Sequence, residues 1–207
     1  MANVSIGTDA RRKRQIFSSL DLRNYGEINA IRNQGSCGSC FSFSSMCTIE
    51  SAYYRKYRQS IDLSEQQGLE CWPATAGQGC SGGWPVSVLQ GISSYGITVE
   101  QLQPYLMRMP TDINSLKSCI YTYGALSILV DASAWGNYKS GLFYTTSVGA
   151  ANHAVNLIGY GTDASGYEYW IIRNSWGTSW GEGGYMRMYM HSSTNSFLPQ
   201  YTVGIVM

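Results

Sequence analysis

Apolar and aromatic side chains return every three or four positions between residues 39 and 58. Phe43, Met46, Cys47, Ile49, Tyr53, Tyr54 and Tyr57, with Glu50 among them, share one broad face. That period predicts a helix from near Ser39 to about Arg58. Within Ser60 to Leu69, Ser64 stands three residues before Gln67, the spacing of a capping box. Gly77 to Gly83 is a glycine-rich loop, and Trp84 to Tyr95 reads as another helix ended by Gly96. Asn114 to Tyr123 also looks helical. The pattern then changes. ALSILVD (125–131), HAVNLIGY (153–160) and YWIIRN (169–174) read as strands by β-branched content and alternation, and 184–189 and 201–206 complete a sheet. Helices in the first half and strands in the second imply a two-lobed α+β protein, with the cleft between the lobes as the default site.

Composition narrows the function classes. A chain of 207 residues with 44% hydrophobic content can bury one core, or one core split between two lobes. No apolar run is long enough to span a bilayer, and a net charge of +1 gives no electrostatic case for nucleic acid or an anionic membrane. The 23 Gly, 16 Tyr and 6 Trp suggest a loop-rich fold with an aromatic-lined groove. Residues 1–16 read as a polar leader or propeptide remnant. Arg11-Arg12-Lys13-Arg14 is either a solvated tail or what is left of a processing site, and no signal-peptide h-region precedes it. Six cysteines are too few for a disulfide scaffold and more than a cytosolic enzyme needs, which favours an oxidising or vacuolar compartment.

The candidate chemistry centres on QGSCGSCF, residues 34–41. A pair such as Cys37 and Cys40 can be a redox dithiol, half a zinc site, a structural disulfide, or a nucleophile beside a structural cysteine. Zinc needs a second ligand pair, but Cys71 and Cys80 are widely spaced and neither His153 nor His191 has a histidine partner at ligand spacing. A redox dithiol usually follows a strand, and the chain before this pair is irregular. A nucleophilic thiolate gains from a helix N-terminus, where Cys40 is expected. It also needs a base and a group that orients the base. His153 opens a strand, and Asn174 ends another just before Ser175-Trp176-Gly177. From the pair alone the alternatives stay open.

Four blocks taken together carry a resemblance: Gln34 to Ser44, then Cys80-Ser81-Gly82-Gly83-Trp84-Pro85, then Asn152-His153-Ala154-Val155, then Asn174-Ser175-Trp176-Gly177. In kind and order they resemble the signature blocks of the papain-like cysteine peptidases, from roughly residue 17 to the end. Asp21-Leu22-Arg23 is similar to the mature start of the house-dust-mite members, and Phe41 stands where the family has Trp or Tyr. The resemblance implies a mainly helical lobe over about 32–105 and a β-barrel-like lobe over about 106–207 together with the N-terminal segment. It makes Cys40 the nucleophile, His153 the base and acid, Asn174 the orienter, and Gln34 an oxyanion-hole donor alongside the Cys40 backbone N–H. It pairs Cys37 with Cys80. Gly82, Gly83, Trp84 and Pro85, with Leu129, Ala151, Asn152 and Trp176, fall where the family binds substrate. The Trp84-Pro85 position resembles a wall of the pocket for the residue two before the scissile bond, and the all-apolar set suggests an apolar or aromatic side chain there. No cofactor or metal is implied. The implied partners are polypeptide substrates, the protein's own propeptide and cystatin-like inhibitors, on a monomer that is secreted or lysosomal/vacuolar.

The chain departs from the family after Gln103-Pro104-Tyr105, where roughly twenty residues of the usual connection are missing by resemblance. The stretch from Cys40 to His153 is correspondingly shorter than the family's about 130–150 residues. Cys71 is thereby left without its family partner, and Cys47 and Cys119 read as small buried hydrophobes. Two other readings compete with an endopeptidase: an impaired homologue acting as a binding or allergen-like protein, and a transglutaminase-like acyltransferase, which Asn174 disfavours because that chemistry normally uses an acidic third member.

Overall fold

A long helix occupies the middle of the molecule. α1 (Cys40–Tyr57) starts after Ser39 and ends at Arg58, whose φ of 57° closes the last turn. The apolar face predicted from the sequence understates its burial, since ten of the eleven residues from Ser42 to Ala52 are buried, polar ones included. Buried hydroxyls are tolerated when they find partners, and here they do. Ser42 Oγ donates to the Glu65 carbonyl at 2.6 Å, Ser45 Oγ to the Phe41 carbonyl at 2.7 Å, and Ser44 Oγ to Val155 O at 2.9 Å. Asn156 Nδ2 in turn donates to the Ser44 carbonyl at 2.9 Å and Thr48 Oγ1 at 3.1 Å. These serines bind the helix to both sides of the molecule.

The computed structural model describes residues 17–71, 79–95, 105–145, 149–190 and 197–207. The leader at 1–16, Gly96 and His191 lie outside them. α2 (Glu65–Glu70) is capped by Ser64, whose Oγ accepts from Gln67 N at 3.2 Å, as the capping-box spacing predicts. α3 (Pro85–Tyr95) follows the glycine loop, and α4 (Ile113–Tyr123) is capped by Asp112. The strands are β1 (Leu20–Asp21), β2 (Tyr105–Arg108), β3 (Leu126–Val130), β4 (Leu142–Phe143), β5 (His153–Thr162), β6 (Glu168–Arg173), β7 (Tyr185–Tyr189) and β8 (Phe197–Val206).

They form one sheet in the order β2-β8-β3-β5-β6-β7-β4, with β1 paired to β5. The expected β-barrel-like lobe is therefore a large open sheet. Its terminal strands in that order are β2, paired to β8, and the two-residue β4, paired to β7, so the path does not close on itself. β2 falls in the shortened connection, where the sequence predicts no strand.

Two apolar clusters result. The larger packs sheet residues such as Leu157, Trp170 and Met188 with Leu116 and Ile120 of α4. The smaller joins Phe41, Met46 and Ile49 of α1 to Val88, Leu89 and Ile92 of α3, and is closed by Val203 and Ile205 of β8. β5 is buried along nearly all its length, with α1 against it, so the alternation read from the sequence does not separate a buried face from an exposed one.

Candidate active site

Cys40 is the first residue of α1, and the Ser39 carbonyl accepts the N–H groups of Ser42 and Phe43 at 2.8 and 3.3 Å. Burial pushes the Cys40 thiol above its ordinary pKa, against the backbone N–H groups of Ala154, Phe41 and Cys40 itself, which favour the thiolate. The loop before it is clamped. Cys37 and Cys80 form a disulfide with a Cα–Cα distance of 4.6 Å, and Gly38 N donates to the Cys80 carbonyl at 2.9 Å. A Cβ on Gly38 would lie 2.6 Å from that oxygen. Only glycine lets the two chains approach this closely, so the small residue inside CGSC has a steric reason.

His153 begins β5, opposite Val130 of β3. Its Nε2 lies 2.8 Å from Asn174 Oδ1. The Ser175 backbone N–H donates to the same atom at 2.8 Å, which identifies it as the amide oxygen. Nε2 must then carry the proton, leaving Nδ1 of the neutral ring as an acceptor. Trp176 stacks on the imidazole with centroids 4.8 Å apart, and Trp135 meets it edge-on at 6.3 Å. Burial dominates the electrostatics and lowers the His153 pKa to about 4, although the Asn174 bond works in the opposite direction.

Gln34 is zipped to the Asn174 loop. Its backbone N–H donates to Ser175 O at 2.8 Å, Ser175 Oγ donates to its Oε1 at 2.6 Å, and its Nε2 donates to the Cys37 carbonyl at 2.9 Å. A primary amide has two N–H groups, so one remains beyond the Cys37 bond.

Gln34, Cys40 and His153 line one cavity of about 520 Å³, together with Gly82, Gly83 and Trp84 on one side and Leu129, Ala151, Asn152 and Trp176 on the other. Asn174 stands behind His153, 1% exposed. Pro85 does not line this cavity; with Trp84 and Leu129 it lines a smaller one of about 70 Å³. Gly82 has φ +114°, and no atom lies within 4 Å of where a Cβ would sit, so the loop leaves open space beside it.

The sequence reading missed Trp135, Ser175 and Asp131. Trp135 is fully buried and packs with Trp176 and Trp180, whose Nε1 donates to the Trp135 carbonyl at 3.1 Å. Its one local signal is a tryptophan soon after a strand. Asp131 accepts from Ser133 N and Oγ at 3.0 and 2.6 Å, Gly149 N at 2.6 Å and Asn152 Nδ2 at 2.9 Å. These bonds hold its carboxyl at about pKa 2 and fix the turn that leads into His153. Cys47 and Cys119 are buried as expected, and Cys71 is exposed and outside the disulfide. Among the described residues, no group of three or more His, Cys, Asp or Glu side chains is placed to hold a metal ion.

The family model described as "Papain family cysteine protease" matches residues 16–114 and 106–204. The chain belongs to the papain family of cysteine proteases. The two matches meet over 106–114, the region in which the sequence departs from the papain-family spacing. Fruit bromelain from Ananas comosus is 39% identical over 86% of this chain and 56% of its own length. The chain spans little more than half the length of the first curated relatives that it matches. Among solved structures, bromelain from Ananas comosus in complex with the E64 inhibitor superposes with a TM-score of 0.83 at 32% identity, covering 93% of this chain and all of that one. A digestive procathepsin L 3 from Tenebrio molitor larval midgut gives 0.87 at 28% identity, over 99% of this chain and 74% of that one. The papain-like fold is thus established for the described residues.

Proposed function

We propose that this protein is a cysteine endopeptidase that cleaves polypeptides through a thioester on Cys40. One observation carries the reading. A histidine whose Nε2–H is fixed on a buried asparagine shares an open cavity with a cysteine at a helix N-terminus. The sulfur loses its proton to His153 Nδ1 and attacks the peptide carbonyl carbon. His153 returns the proton to the leaving amine as the C–N bond breaks, leaving an acyl group on sulfur. Water then gives a proton to His153 as its oxygen attacks the thioester carbonyl. The C–S bond breaks, the acyl group leaves as a carboxylic acid, and His153 returns the proton to the Cys40 sulfur. Burial disfavours a charge on either partner alone. Moving one proton from Cys40 to His153 creates both charges together, and their attraction offsets the desolvation of each. Gln34 and the Cys40 backbone N–H serve the oxyanion.

In this reading the peptidase unit runs over residues 17–207, with a helical lobe at about 32–105, a β-rich lobe at about 106–207 together with the N-terminal segment, and a leader or propeptide remnant at 1–16. The cavity binds extended polypeptide along Gly82 and Gly83. The protein is made as a zymogen, works as a monomer in a secreted or lysosomal/vacuolar setting, and is held in check by its propeptide and cystatin-like inhibitors. The test is titration with an epoxide thiol reagent during peptide hydrolysis. Stoichiometric modification of Cys40 that abolishes cleavage is expected, and unmodified Cys40 in a folded protein sinks the reading.

A further inference from the structure

The smaller cavity beside the main one has walls of Trp84, Pro85, Leu129, Tyr201 and Val203, and one charged residue, Arg108. The Trp84 and Tyr201 rings meet at 6.1 Å, and both are about half exposed, so the pocket opens to solvent on that side. Arg108 comes from β2, directly opposite Val203 of β8. Four other arginines, Arg23, Arg32, Arg55 and Arg187, are bound to Asp21, Asp62, Glu27 and Glu182. No carboxylate among the described residues pairs with Arg108 in this way. Among the described residues that line either cavity, no other Asp, Glu, Lys or Arg stands beside Arg108.

We infer that Arg108 makes this protein select a glutamate side chain two residues before the scissile bond. The inference rests on the peptidase reading above, in which Trp84 and Pro85 wall the pocket for that residue. The apolar walls take the two methylenes of a glutamate stem, and the guanidinium takes its carboxylate, a pairing for which the planar fork is suited. A purely apolar preference follows from the walls that the sequence makes visible. The cation enters because the shortened connection forms a strand that pairs with β8, and only the structure puts it at the pocket.

The test uses the full chain and peptides that differ only at that position, carrying Glu or its neutral isostere Gln, near pH 6.5, where a glutamate of ordinary pKa about 4.3 is ionised. Wild-type kcat/KM is expected to favour Glu over Gln by roughly fivefold, the upper range for an ion pair with an exposed partner. Arg108→Leu should bring the ratio to about one, and Arg108→Lys should keep part of it. Rising salt should erode the wild-type preference, because the pair is open to solvent. Cleavage of both peptides without a Glu preference, or with a preference that Arg108→Leu leaves intact, overturns the inference and leaves the peptidase reading standing. Cleavage of neither peptide, with Cys40 refusing an epoxide reagent, overturns both.

Discussion

Replacing Asn174 with alanine removes one oxygen that serves two buried donors, His153 Nε2–H and Ser175 N–H, each at 2.8 Å. Stranding a buried donor costs about 1–3 kcal/mol, so Asn174→Ala should lower unfolding stability by roughly 2–4 kcal/mol. The catalytic effect is separate. The hydrogen bond fixes the ring orientation by about 1–1.5 kcal/mol, which corresponds to roughly a tenfold loss of kcat. The loss should stay well short of that caused by Cys40→Ala. Trp176 still stacks on the ring at 4.8 Å, and β5 still anchors its backbone. Asn174→Asp keeps an acceptor and should retain more activity than the alanine variant. The assay is steady-state hydrolysis of a fluorogenic peptide at 25 °C, with urea midpoints measured on the same preparations to confirm that each variant is folded. A kcat within twofold of wild type for folded Asn174→Ala, or a change confined to KM, would refute the orienting role.

Gln34→Ala should lower kcat by roughly a hundredfold with little change in KM, since an oxyanion donor acts chiefly in the transition state; a KM effect alone would remove it from that role. His153 should make the fold acid-sensitive once the thiol is gone. With its pKa lowered to about 4 from an ordinary 6.5, the unfolded chain takes up a proton between those values that the folded chain refuses, so stability falls as pH drops through that window. Between pH 7 and 4.5, Cys40→Ala should lose about 2–3 kcal/mol more than Cys40→Ala/His153→Gln, read from urea midpoints, and parallel losses would contradict the buried neutral ring. Peptide mapping without reductant should recover a Cys37–Cys80 cross-link that closes a 43-residue loop. Cys37→Ser/Cys80→Ser should cost roughly 4 kcal/mol in the chain-entropy model, and a Cys37–Cys40 cross-link would revive a redox pair.

Much of the site is legible along the chain because its parts are short and local. Ser64 caps α2, Cys40 opens α1, and His153 opens β5 wherever those elements lie in space. What escaped depends on long-range pairing. β2 has no alternation strong enough to mark four residues as a strand, and it exists because β8 lies beside it. Trp135 carries no motif, and its contact with the imidazole depends on a turn held by Asp131 and Asn152, which flank the adjacent ends of β3 and β5. The buried serines of α1 read as polar in sequence, and only their acceptors on other segments explain why the helix can be enclosed. The β-rich lobe implied by the resemblance is present as a large sheet that does not close, and that too depends on long-range pairing, because closure is decided by which edge strands meet.

The enclosure of α1 also bears on how the protein can be controlled. The helix that presents Cys40 is bonded through Ser44 and Asn156 to the sheet, and through Ser42 to the Glu65 carbonyl at the start of α2. Parting the halves like a clamshell would strand several buried hydrogen bonds at once, each costing a sizeable share of the whole folding free energy. The groove therefore comes preassembled, and a ligand meets it without waiting for a slow opening step. On the peptidase reading proposed above, a segment laid across the groove from outside would be enough to block it, with no rearrangement of α1.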